Sequence, residues 1–196
     1  MPSFSGYDET TQTVYFAASE YGSNNGIYAW DLKTHTVTTV VTYPEPVFFS
    51  AVYSPKDAMF YLFTFCVPAN CHNFQQVDCR NKQIVNSHHV KNLMFLSYDN
   101  QHQQLYGWYW PVASGSPAVL AKLNPNTGEF GSSLYTTPKS FDDVIGNWAI
   151  IHDGKAYLSG ASQQFLTIDL TPPHRGVMVN TTNDKYPYIG GFFIAQ

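Results

Sequence analysis

The chain has 196 residues, of which 44% are hydrophobic, enough to build a packed core and to exclude extended disorder. Only 12% are charged, and a net charge of −4 with 10 basic residues leaves no clustered cation face of the kind that neutralises nucleic-acid phosphates. No apolar run approaches the roughly 20 residues needed to span a bilayer as a helix.

At about 150 residues per domain the chain reads as one domain. It begins Met1-Pro2-Ser3-Phe4-Ser5-Gly6-Tyr7, without the charged start and apolar core of a signal peptide. That fits a cytoplasmic chain or a mature one. Low charge, abundant Tyr, Asn, Gln and Thr, and the sequon Asn180-Thr181-Thr182 lean towards an extracellular protein.

The first segment, about residues 1–47, opens with a polar turn from Asp8 to Gln12 leading into Tyr15. A loop follows, Tyr21-Gly22-Ser23-Asn24-Asn25-Gly26, then the apolar strand Ile27-Tyr28-Ala29-Trp30 ending on Asp31. The second, about 48–92, reads as four strands: Val47 to Tyr53, Ala58 to Phe65, Phe74 to Asp78 and Gln83 to Val90. Cys66 and Cys71 flank Val67-Pro68-Ala69-Asn70, a hairpin-like turn across which a disulfide is one reading, with Cys79 left unpaired. Plain buried thiols are the second reading. Zinc held by the three cysteines and His72 is the weakest, since the spacing is not a paired C-x-x-C.

The third segment, about 93–146, repeats the polar turn at Tyr98-Asp99-Asn100 before Tyr106. It then gives the aromatic run Tyr106-Gly107-Trp108-Tyr109-Trp110-Pro111, in which alternation sets Tyr106, Trp108 and Trp110 on one face and Tyr109 on the other. The fourth, about 147–182, carries the turn His152-Asp153-Gly154 and the strand Phe165-Leu166-Thr167-Ile168-Asp169. A tail, 188–196, contains Ile189-Gly190-Gly191-Phe192-Phe193-Ile194, which repeats the first-strand pattern and reads as a strand joining the two ends of a ring.

Two registers share one period. Asp31, Asp78, Asn124 and Asp169 lie 47, 46 and 45 residues apart, and Tyr15, Tyr61, Tyr106 and Tyr157 lie 46, 45 and 51 apart. Four antiparallel strands in about 46 residues is the pattern of a β-propeller blade. The sequence therefore predicts an all-β, four-bladed propeller closed by its C-terminal strand. The recurrent Asp or Asn begins a tight turn, where its side chain bonds backbone N–H groups two residues on.

An apolar strand, then Asp, then a Thr or Asn-Gly turn, then another apolar strand resembles the YVTN, NHL and quinoprotein-like propeller repeats. Trp30-Asp31 is similar to the WD dipeptide, in one repeat only. The resemblance is one of repeat form over nearly the whole chain, and it brings no site residues, cofactor or partner with it.

The chain has no G-x-S-x-G, H-E-x-x-H, P-loop, dinucleotide fingerprint or EF-hand loop. His88-His89 reads as a surface pair, since neighbours on a strand point to opposite faces and do not converge on one metal. Asp142-Asp143 reads as an acidic solvated loop. The loop residues best suited to hydrogen bonding and stacking are Tyr21, Asn24, Asn25, His72, Asn73 and Trp110. No metal or other cofactor is expected. These features favour a non-enzymatic binding or interaction module that recognises carbohydrate or protein through blade loops, with association of copies as a further expectation. The alternatives are a small propeller hydrolase or lyase with its site at the channel mouth, and a structural, self-assembling extracellular protein.

Overall fold

The computed structural model describes residues 2–18, 25–43, 46–66, 71–91, 94–111, 117–139, 150–159 and 164–180. Within them the chain forms sixteen strands and no helix. Blade 1 is β1 (Pro2–Asp8), β2 (Thr13–Ala18), β3 (Asn25–Asp31) and β4 (Thr36–Tyr43). Blade 2 is β5 (Pro46–Ser54), β6 (Met59–Cys66), β7 (Cys71–Asp78) and β8 (Gln83–His89). Blade 3 is β9 (Met94–Asp99), β10 (Gln104–Tyr109), β11 (Val119–Leu123) and β12 (Phe130–Thr136). Blade 4 is β13 (Ile150–His152), β14 (Lys155–Ser159), β15 (Gln164–Asp169) and β16 (Gly176–Asn180). Each blade is one antiparallel sheet with its strands in chain order, and the four sheets make a four-bladed propeller.

The turns explain why the strands break where they do. Asp31 Oδ1 accepts from the N–H groups of Lys33 (2.7 Å) and Thr34 (3.1 Å), and Asp78 Oδ1 from those of Arg80 and Asn81, both at 2.9 Å. Asn124 and Asp169 do the same for Asn126 and Thr171, each at 2.9 Å. Asp8 and Asp99 perform this task in the first hairpins of blades 1 and 3. Each first-to-second and each third-to-fourth hairpin turn then ends on a residue in the left-handed region. In the first-to-second turns these are Gln12, Ala58, Gln103 and the pair Asp153–Gly154; in the third-to-fourth turns they are His35, Lys82, Gly128 and His174. Most are not glycine, so the side-chain cap and the flanking ladders hold a backbone that L-residues otherwise avoid.

The hydrophobic core lies between blades. Tyr15, Ala17 and Ile27 of blade 1 meet Tyr53, Phe60 and Leu62 of blade 2. Tyr61, Phe63 and Phe74 of blade 2 meet Leu96, Leu105 and Leu123 of blade 3. Tyr106, Trp108 and Leu120 of blade 3 meet Ala156, Leu158, Leu166 and Ile168 of blade 4. Each such side chain, once fully buried, contributes roughly 1.5–3 kcal/mol. The period of about 46 residues thus places equivalent rings at equivalent interfaces. The tail 188–196 and Asp142-Asp143 lie outside the described residues.

Candidate functional site

Blade 3 reaches across the outer half of blade 2 through its β11–β12 turn. The Gln76 side-chain amide donates to the carbonyl of Pro125 and accepts from Asn86 Nδ2 at 2.7 Å, so this buried glutamine clamps the turn to the sheet below. Three residues on, Gly128 rests against the ring of Phe74. A Cβ there would stand 2.5 Å from Phe74 Cγ, and φ is +71°, so the position needs glycine for space and for backbone. Phe130, at the start of β12, lies over the blade in a pocket left by Gly107, where a Cβ would stand 2.5 Å from Phe130 Cε1. Its ring centroid is 4.2 Å from that of Tyr109.

Between this turn and the end of β8 lies a crevice of about 620 Å³, within the usual 300–1,000 Å³ range of ligand pockets. Blade 2 contributes His88, His89, Val90 and Lys91, and blade 3 contributes Thr127, Gly128, Glu129 and Phe130. Val90 is buried and forms the floor, tied to β7 by its N–H donating to the His72 carbonyl at 2.9 Å. His88 stands opposite Phe74 in the ladder and shares its face, which is the face turned towards blade 3; His89 stands opposite Asn73 and shares the other. Thr127 Oγ1 donates to Glu129 Oε2 and accepts from the Glu129 N–H, both at 3.3 Å, fixing the carboxylate at the crevice edge. The lining residues therefore offer a carboxylate acceptor, a hydroxyl, an ammonium and the His88 imidazole beside the apolar Val90 and Phe130.

The residues singled out from sequence do not gather at one point. Tyr21 and Asn24 lie outside the described residues. Asn25 opens β3 and is buried. His72 packs on Phe63 with ring centroids 5.4 Å apart, and the Asn73 carbonyl accepts from Thr64 Oγ1 at 3.4 Å. His72 therefore stands beside the crevice floor, its carbonyl accepting from the Val90 N–H, whereas Asn73 shares the other face of the sheet with His89. Trp110 meets Phe95 edge-on at 5.4 Å and packs on the core between blades 3 and 4, a different interface. The alternation read from the aromatic run holds: Trp108 is fully buried on the blade-4 side and Tyr109 packs on the blade-2 side.

His88-His89 read as plain surface, yet His88 is half-buried in the crevice wall. Lys91, Thr127, Glu129 and Phe130 carried no sequence signal, because only packing between two blades brings residues about 40 apart together. Among the described residues no three His, Cys, Asp or Glu side chains cluster to hold a metal ion.

No protein-family model matches the chain, and no curated protein sequence matches it significantly. Its fold is similar to several solved structures. One is a nidogen/laminin complex, at 12% identity and a TM-score of 0.55, covering 89% of this chain and 61% of that one. An oligogalacturonate lyase in complex with manganese matches at 15% identity and a TM-score of 0.56, covering 89% and 50%. An exo-β-1,3-galactanase from Phanerochaete chrysosporium, bound to β-1,3-galactotriose, matches at 10% identity and a TM-score of 0.55, covering 90% and 49%. The chain spans about half to three fifths of the length of these three structures. At such identities the likeness is one of fold.

Proposed function

We propose that the protein is a non-enzymatic binding module that takes a saccharide in the crevice between blades 2 and 3. The observation that carries this is the composition of the crevice wall: Glu129 accepts hydroxyl hydrogens, Lys91 and the His88 imidazole donate to hydroxyl oxygens, and Phe130 with Val90 offers an apolar strip to a sugar face. The β11–β12 turn that carries Thr127 and Glu129 is pinned by Gln76 and by the contact of Gly128 with Phe74, and the opposite wall continues strand β8, which supports a site formed before the ligand arrives. Two of the similar structures are named for proteins that act on galacturonate and galactan saccharides. That agrees with a sugar ligand, but the class rests on the chemistry of the crevice.

The test is a glycan array followed by calorimetry on the best binder, with wild type, Lys91→Ala and Glu129→Gln. Binding that each substitution weakens at least tenfold, with the saccharide recovered uncleaved, supports the proposal. Cleavage of the saccharide would favour a propeller hydrolase or lyase instead. Binding indifferent to both substitutions would place the site elsewhere.

A further inference from the structure

The interfaces between blades repeat one device. The third residue of each second strand is a tyrosine: Tyr15, Tyr61, Tyr106 and Tyr157. The last-but-one residue of the first strand is a tyrosine in three blades, Tyr7, Tyr53 and Tyr98, and Ile151 in the fourth. Tyr15 stacks on Tyr53 with centroids 5.1 Å apart, and Tyr61 on Tyr98 at 6.0 Å, so each second-strand ring meets the first strand of the following blade. Continued round the ring, the device pairs blade 4 with Tyr7.

Both sides of that last seam are barer than the others. Tyr7 is 48% exposed where its equivalent Tyr53 is 6%. On blade 4, Ile150, Tyr157, Thr167 and Val177 stand directly opposite one another across the four strands and so share one face. This face is turned away from blade 3, whose contacts are with Ile151, Ala156, Ile168 and Met178. Val177 is 63% exposed, as outer-strand residues such as Ile84 (42%) are at the covered seams too; the difference lies inward, where Tyr157 is partly exposed and its equivalents Tyr15, Tyr61 and Tyr106 are buried. Two surfaces that are covered at the other seams therefore stand open here, at the point where the chain leaves β16 with sixteen residues, 181–196, still to run.

We infer that the seam between blade 4 and blade 1 receives the chain's own segment Tyr188 to Ile194, laid between the face of Tyr7 and the row Tyr157, Thr167 and Val177. The segment starts eight residues after Asn180, enough to turn back. Its seven residues match the length of β1, and Tyr188, Ile189, Phe192, Phe193 and Ile194 carry the apolar area the two faces lack. It holds no charged residue that burial would penalise.

The test uses the full chain with the photocrosslinker p-benzoylphenylalanine at position 7 or, separately, at position 177, both exposed enough to accept it. Mass spectrometry after irradiation is expected to find adducts from both positions within 188–194 of the same chain, reduced at least fivefold by Phe192→Asp. Covalent dimers would assign the seam to a second copy. Adducts linking position 7 directly to blade 4, or none to the tail, would mean that the faces close on each other or stay open. Any of these overturns the inference.

Discussion

Tyr15 and Tyr53 lie with ring centroids 5.1 Å apart and planes inclined by 28°, joining the second strand of blade 1 to the first strand of blade 2. Phe60 extends the stack, 5.4 Å from Tyr53. Since the core lies between blades, this contact holds the ring together more than it holds either sheet. Tyr53→Ala is expected to destabilise the fold by about 3–5 kcal/mol, as for other buried aromatic truncations. A double-mutant cycle with Tyr15→Ala should return a coupling of about 0.5–1.5 kcal/mol. Urea unfolding followed by tyrosine fluorescence measures both.

The left-handed turn residues offer the opposite sign. Lys82 is exposed at φ 53° and closes the β7–β8 turn. Removing its Cβ relieves a conformation costing roughly 1–2 kcal/mol for an L-residue, offset in part by the greater freedom of glycine in the unfolded chain, roughly 0.5–1 kcal/mol. Lys82→Gly should therefore stabilise by about 0.5 kcal/mol, and Lys82→Val should destabilise. Calorimetric melting of the two variants distinguishes this from a neutral surface site.

The turn carboxylates set an acid limit. Asp31 is held below the ordinary carboxylate range by the N–H groups of Thr34 and Lys33, Asp78 chiefly by the N–H of Asn81, and Asp169 by the hydroxyl and N–H of Thr171. A folded pKa below the unfolded one gives stability that is complete above the unfolded value, near 4, and is lost as pH falls through the folded one. Stability should thus be insensitive to these groups from pH 5 to 8 and decline below about pH 4. Asp78→Asn should flatten part of that decline in melts taken across the acid range.

Cysteine chemistry separates two environments. Burial pushes the Cys79 thiol up to about 12, so it should stay unreactive towards a thiol reagent in the native state at pH 8. Cys66 and Cys71 are ladder partners, and directly opposed Cα atoms about 4.5–5.5 Å apart lie within disulfide range. Their side chains lie outside the described residues, so the bond stands as a proposal. Thiol titration of oxidised protein in denaturant without reductant should count one thiol if it forms and three if it does not.

The blade architecture was legible because it is periodic. Asp31, Asp78, Asn124 and Asp169 each announce a turn by their own chemistry, and the tyrosine register repeats with them. The left-handed residues that close the same turns were not legible, since Gln, His, Lys and Ala give no local sign of that geometry. The crevice was hidden for another reason. Gly107 and Gly128 look like loop or strand irregularities until Phe130 and Phe74 are seen resting against them, and Lys91 meets the Thr127–Glu129 turn only once two blades are packed.

A saccharide held between blades 2 and 3 leaves a footprint confined to the crevice walls. A two-dimensional NMR titration of the isotope-labelled full chain with the best array binder would map it residue by residue. Shifts concentrated at 88–91 and 127–130, with the β3–β4 and β15–β16 turns unmoved, are the predicted result. Shifts centred on another interface, or none at saturating saccharide, would contradict it.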